Sequence, residues 1–273
     1  MRSLRLFVIS GLEALAAAFQ FLTRIPIPVS LAYDERLSRR SVAFYPLVGA
    51  AIGLIVALAG LLLAPAMPPV VVAILLVAVW TLLSGGLHLD GLMDTADGLL
   101  SHRSPERMLE IMKDSRVGAM GVMACVFAVG LKVATVAALI EDWRNDWLSL
   151  AILVPVWSRA FLGTAIACWP YARQGPGLGA LFRAVGKRHA IASGFGAAIV
   201  TVTALAFESG WNAIDIGWFL IAAALITYGV GTLLSVVIHR KLGGLTGDVY
   251  GALNECIEIG LLVALASYAF HAA

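Results

Sequence analysis

The chain has 273 residues, 60% hydrophobic and 13% charged, with a mean hydropathy of +0.91. Soluble domains carry about 25% charged residues, so this composition excludes a water-soluble globular protein. The formal charge of +2 is uninformative as a sum, but its distribution along the chain fixes a topology.

The N-terminal apolar run 6–22 contains Glu13 and Gln20 and is flanked by Arg2, Arg5 and Arg24. Ser10, Glu13, Ala17, Gln20 and Arg24 recur at helical spacing. This is a helix that either lies in the membrane interface or turns its small and polar stripe towards a site. No small-residue cleavage signature follows, which argues against a signal peptide. FLTRIPIP (21–28) then leaves the helix in an extended form, since proline biases the preceding residue away from helix.

Longer apolar runs follow at 44–64, 69–86, 118–140, 147–169, 189–208, 213–239 and 256–272. A helix needs roughly 20 apolar residues to cross the hydrocarbon core. Lipid offers the backbone no hydrogen bonds, which selects helices. The expected fold is all-α: a polytopic integral membrane helix bundle of about seven transmembrane helices plus an N-terminal interfacial or half-inserted helix. Residues 1–273 would form a single membrane-embedded catalytic domain. Cys125, Cys168 and Cys256 lie in different segments without metal-ligand spacing and read as apolar thiols.

Sixteen of the 19 Lys and Arg fall before residue 44 or in the loops 86–118, 169–189 and after 239. The alternate loops hold only Arg144, while Lys132 and Arg159 fall inside spans. By the positive-inside rule the basic side is cytoplasmic and the C-terminus is outside. Arg159 needs a buried partner or a snorkelling route.

Residues 85–99, GGLHLDGLMDTADGL, follow the second long run. If the helix continues, Asp90, Asp94 and Asp97 stand at i, i+4 and i+7 and share a face. Three carboxylates at a lipid boundary repel one another, and a divalent cation relieves that repulsion. Oxygen ligands suit Mg²⁺, with Mn²⁺ as the alternative ion, and Mg²⁺ commonly recruits substrate phosphates as further ligands. His88 would be a base, a ligand or a hydrogen-bond partner of an acid. In KDSRVG (113–118), Lys113 and Arg116 are candidate phosphate binders, and Asp114 a further metal ligand.

A second polar cluster, RKLGGLTGDVYGALNECIE (240–258), shares GGLxxD with residues 85–90. Each Asp is followed seven residues later by another acid, Asp97 or Glu255. A weak parallel repeat would bring two acidic arms to one site, and chance similarity in a Gly- and Leu-rich chain is the competing explanation. The Gly-rich loop 171–186, with Arg173 and Arg183, reads as a connector in preference to a flap over phosphates.

Taken together, FLTRIPIP, FYPLVGAAIG (44–53), GGLHLDGLMDTADGL, KDSRVGAMG (113–121) and GGLTGDVYGALNE (243–255) resemble the cobalamin synthase family, the adenosylcobinamide-GDP ribazoletransferases. The likeness runs from about residue 15 to 260 with the motifs in order. It implies a Mg²⁺-dependent enzyme of the bacterial inner membrane with its active site facing the cytoplasm. That enzyme joins adenosylcobinamide-GDP to α-ribazole or α-ribazole 5′-phosphate and releases GMP. It implies Asp90, Asp94, Asp97 and His88 as catalytic residues. Arg24, Lys113, Arg116, Asn254 and Gln20 would bind substrate or phosphate, with Glu13 as a weaker candidate. Asp90, Asp94, Asp97, Asp114, Asp248 and Glu255 would bind metal. The lipid bilayer is the expected surroundings, no nucleic acid is expected as a partner, and oligomerisation stays open.

Two alternatives remain. DTADG (94–98) contains the DxxDG opening of CDP-alcohol phosphotransferases, but Leu99, Leu100 and Ser101 follow where that family continues with AR. A transporter would place ionisable groups near the bilayer midplane, where only Lys132 and Arg159 fall here.

Overall fold

The computed structural model describes residues 2–141, 150, 152–173, 178–208 and 210–272, the side chains of 2–8, 178, 180 and 272 excepted. The start of the span expected at 147–169, Arg144 and residues 174–177 of the Gly-rich loop lie outside these. The described chain is helical, with one isolated bridge between Tyr171 and Leu245 and no strand.

The helices are α1 (Arg2–Leu22), α2 (Glu35–Ser41), α3 (Tyr45–Leu63), α4 (Pro69–Leu83), α5 (Leu87–Leu99), α6 (Pro105–Ile111), α7 (Ala119–Glu141), α8 (Val154–Cys168), α9 (Leu178–Leu181), α10 (Lys187–Ala206), α11 (Ala213–Leu242) and α12 (Gly247–Ala272). Among the described residues five helical stretches are long and apolar enough to cross a membrane: Glu35–Leu63, Ala119–Glu141, Lys187–Ala206, Ala213–Leu242 and Gly247–His271. The α4–α5 pair makes a sixth if its 88° bend is counted as one broken span. Each apolar run read from the sequence is mostly helix where it is described, and the described residues supply five or six of the spans. The apolar part of α1, Ile9–Leu22, is shorter than a span, and α1 packs on α2 and α3.

The run 147–169 is described only in part, with α8 covering Val154–Cys168. Its 15 residues include eleven buried ones, among them Trp157, Arg159 and Phe161, and it is enclosed by α3, α10, α11 and α12. Gly49 and Gly53 of α3 let its backbone lie directly on Ile152 and Pro155 at the start of α8, the small-xxx-small contact common between membrane helices.

The α4–α5 bend has its cause in two glycines. Gly85 and Gly86 adopt φ of +65° and +73°. The Gly86 amide donates to Thr81 O at 2.9 Å and the Gly85 amide to Leu82 O at 2.9 Å. These two bonds close α4 with a Schellman motif, which satisfies its last carbonyls and turns the chain. The helix expected to continue through 85–90 therefore stops and restarts at nearly a right angle. Gly243, at φ +74°, closes α11 in the same left-handed conformation, with its amide on His239 O at 2.8 Å. The two GGLxxD segments thus both end a helix at a left-handed glycine, but the chain re-enters helix at Leu87 after the first and only at Gly247 after the second.

Candidate active site

The acids lie where these corners meet. α5 crosses α12 at a contact built on glycine: an added Cβ on Gly91 would lie 2.5 Å from Asp248 O, and one on Gly251 2.9 Å from His88 O. The crossing brings Asp248 to the acid helix. Asp94 is half-buried and feels the negative charges of Asp90, Asp248 and Asp97 and the positive charge of Arg173. The two arms that share GGLxxD therefore reach one site. Replacing Gly91 by Ala should lower thermal stability by about 1–3 kcal/mol, the usual cost of overpacking, because backbone must move. The control is Gly130→Ala, whose Cβ would meet nothing within 4 Å. Equal denaturation midpoints of the two variants in detergent would contradict the tight crossing.

Basic side chains flank the acids. Arg173 Nη2 donates to Asp248 Oδ2 at 2.7 Å, and Thr246 Oγ1 also lies 3.3 Å from that oxygen. Arg173 is placed by local pairing: the Leu245 amide donates to Pro170 O at 2.9 Å and the Ala172 amide to Leu245 O at 2.8 Å. Arg24 is held at the α4–α5 corner, where its amide donates to Leu83 O at 2.8 Å and its side chain lies over the face of Gly85. It remains exposed. A Cβ at Gly85 would stand 2.5 Å from Arg24 Nε, so this glycine serves the turn and the close approach together.

Asp97 is engaged differently from Asp90 and Asp94. Its Oδ2 accepts from the Gly118 amide at 2.7 Å and its Oδ1 from the Gly121 amide at 2.8 Å. It therefore caps the start of α7, where free amides and the helix dipole favour an anion. The tight spacing explains the glycines of RVGAMG: a Cβ at either position would collide with the carboxylate. Asp97 is thus first a bracket between α5 and α7.

Other expected site residues are brought elsewhere. Glu255 is paired with Lys132 Nζ at 2.6 Å, and Asn254 Nδ2 donates to Glu258 Oε1 at 3.0 Å. Both are buried, so Glu255, expected at a metal, and Asn254, expected at substrate, lie in an interior network away from the acids of α5. The same network answers the need of Arg159, whose Nη1 lies 2.6 Å from Glu258 Oε1. Lys132 Nζ lies 2.5 Å from Glu258 Oε2 and 5.0 Å from the Trp80 ring centroid. His88 is 3% exposed, its Nδ1 has no partner, and its electrostatic neighbours are Arg159, Glu258 and Lys132. It lies under the acids and does not present a base to an open face.

Gln20 clasps the extended segment after α1. Its Nε2 donates to Ile27 O at 3.1 Å and Val29 O at 2.8 Å, and Tyr33 Oη lies 3.0 Å from its Oε1. This satisfies the amide within the chain and removes the reason to assign it to substrate. Glu13 is exposed on α1. Asp114 is bound by Arg116, with Nη2 to Oδ2 at 2.6 Å and Nε to Oδ1 at 3.0 Å. Hydrogen bonds from Arg116 hold its carboxyl down at about 2. Asp114 thus has a cation partner already, and Lys113 and Arg116 stand exposed on the loop before α7.

Among the described residues no three His, Cys, Asp or Glu side chains are gathered closely enough to hold an ion alone. A Mg²⁺ site completed by water and substrate phosphate needs only one or two protein carboxylates. Asp90, Asp94 and Asp248 fit that demand, since like charge accumulates there on a partly open face.

Comparison with known proteins identifies the family. The family profile described as cobalamin-5-phosphate synthase matches residues 14–266. A protein of Brevibacillus brevis named adenosylcobinamide-GDP ribazoletransferase is 39% identical over 93% of this chain and 98% of its own. Proteins of the same name are 40% identical in Roseiflexus, over 91% of this chain and 87% of that one, and in Pseudomonas syringae, over 91% and 97%. No solved structure matches the chain significantly. The profile takes in both GGLxxD corners, α5 and the RVGAMG bracket, and the chain belongs to the cobalamin-5-phosphate synthase family.

Proposed function

We propose that this protein transfers the corrinoid phosphate of adenosylcobinamide-GDP to α-ribazole, or to its 5′-phosphate, and releases GMP. The observation that carries the reading is the crossing of α5 and α12, which brings Asp248, paired with Arg173, into the electrostatic surroundings of Asp94 and Asp90. Cleaving a pyrophosphate calls for positive charge on its oxygens, from guanidinium groups and from a metal ion. Arg173 would supply the first, and the carboxylates would hold the second.

In the reaction a ribazole hydroxyl oxygen forms a bond to the phosphorus nearer the corrinoid. The bond from that phosphorus to the bridging oxygen breaks, and the oxygen leaves with GMP. Asp90, Asp94 and Asp248 would hold Mg²⁺, or Mn²⁺, which would supply Lewis-acid neutralisation of the pyrophosphate. Arg173 can exchange its hold on Asp248 for a phosphate oxygen, a swap that keeps its charge compensated. Arg24 approaches from the α4–α5 corner and offers a second guanidinium. An acid-cluster carboxylate is the nearest acceptor for the hydroxyl proton, since His88 is enclosed.

The bias of basic residues to the acid-bearing loops supports a multi-pass inner-membrane protein with this site cytoplasmic, its C-terminus outside, and residues 1–273 acting as one catalytic domain. Purified protein given adenosylcobinamide-GDP, α-ribazole and Mg²⁺ should release GMP, and EDTA should stop the release. A folded preparation that releases none would overturn the function. Release that survives EDTA would overturn the metal. A CDP-alcohol in place of the corrinoid nucleotide should yield no nucleoside monophosphate.

A further inference from the structure

A cavity of about 370 Å³ opens beside the acid site. Its walls include Ile166 at the end of α8, Trp169 and Tyr171 in the segment after it, Phe182, Arg183, and Tyr250 of α12. We infer that this cavity is the subsite for the planar base of α-ribazole, an inference that rests on the function proposed above.

Position comes first. Tyr171 and Tyr250 each lie two residues from a member of the Arg173–Asp248 pair, and Tyr171 bridges to Leu245 on the second corner. Tyr171 lies on the segment that carries Arg173, while Tyr250, about 100° per residue round α12, turns to a different side of the helix from Asp248. A base seated against Tyr171 places its ribose towards the Arg173 end of the cavity.

Chemistry selects which base. A flat heteroaromatic ring stacks well on aromatic walls whatever its identity. Guanine also presents an N–H and an amino group along one edge, which ask for an anionic or carbonyl acceptor. Among the described lining residues there is no carboxylate. The ribosylated benzimidazole of α-ribazole has an apolar edge and one ring nitrogen that accepts. The lining offers donors for that nitrogen in the hydroxyls of Tyr171 and Tyr250. Size agrees: the volume lies near the lower end of the roughly 300–1,000 Å³ of small-molecule sites and cannot admit a corrin ring.

The walls are also preset. Gly179 is pressed against the Tyr171 ring, where no other side chain fits. Phe182 is packed on Phe21 with ring centroids 5.1 Å apart. Walls fixed before binding spare the ligand the cost of ordering them.

The test is steady-state GMP release by the full chain in liposomes, with each substrate varied in turn. Phe182→Leu and Tyr250→Leu should each raise KM for α-ribazole about tenfold, with KM for adenosylcobinamide-GDP changed less than twofold. Tyr250→Phe, which keeps the ring, should restore the α-ribazole KM to within about threefold of the parent. A fold defect would not be rescued this way and would not spare one substrate. A rise in KM for adenosylcobinamide-GDP instead would assign the cavity to guanine and overturn the inference. Unchanged KM for α-ribazole in Phe182→Leu would overturn it as well. In both cases GMP release by the parent protein would leave the proposed function standing.

Discussion

Asp94→Asn is expected to reduce GMP release by about 10²- to 10³-fold at saturating Mg²⁺, the scale seen when one preorganised electrostatic partner of a reacting centre is removed. The change is nearly isosteric and leaves the helix intact, so the protein should purify with normal yield and helicity. Asp94 is chosen because it stands electrostatically among Asp90, Asp97 and Asp248, half-buried where they are drawn together. Removing its charge relieves repulsion among the acids, so stability measured without added metal should hold or rise while activity falls. That opposition separates a functional acid from a structural one. Asp97→Asn should differ: the lost bracket to the Gly118 and Gly121 amides should lower stability and activity together. Activity of Asp94→Asn above a tenth of the parent's would defeat the assignment, as would a stability loss like that of Asp97→Asn.

These roles were partly legible in the sequence. The i, i+4, i+7 spacing of the three aspartates and the repeated GGLxxD were visible, and the crossing at Gly91 shows why the repeat matters: it delivers Asp248 to the first arm. The repeat did not extend to the second acid of each pair. Glu255 has the same sequence offset as Asp97, yet Lys132 captures it inside the bundle. No local pattern marks that pairing, because the partners are more than 100 residues apart. The 88° bend was half-written: two successive glycines signal a helix end, but the angle follows from the left-handed conformation that both adopt. RVGAMG carried an unread signal, since two glycines three apart at a helix start are a ready seat for a carboxylate. Hydropathy also does not tell a helix facing lipid from α8, whose described part is surrounded by other helices.

Glu258→Gln is expected to be the most destabilising single change in the molecule, by roughly 3–5 kcal/mol, because it strands buried cations. Glu258 is 0% exposed and accepts from Lys132, Arg159, Ser158 and Asn254. The described network balances two cations, Lys132 and Arg159, with two anions, Glu255 and Glu258. Such a set has little net worth relative to an apolar core, since desolvation of each ion offsets the attraction between them. Its members nevertheless become indispensable to one another once buried. Balance, and not any single bond, should therefore govern the response. Lys132→Met alone leaves two acids facing one guanidinium and should destabilise strongly. Adding Glu255→Gln restores one charge of each sign, Arg159 with Glu258, and should recover stability relative to Lys132→Met. Coupled neighbours depart from additivity by about 0.5–3 kcal/mol, a gap wide enough to resolve by unfolding in detergent. If the double variant is less stable than the parent by the sum of the two single losses, the charges act independently. The network would then not be the unit that joins α7, α8 and α12 beneath the acid site.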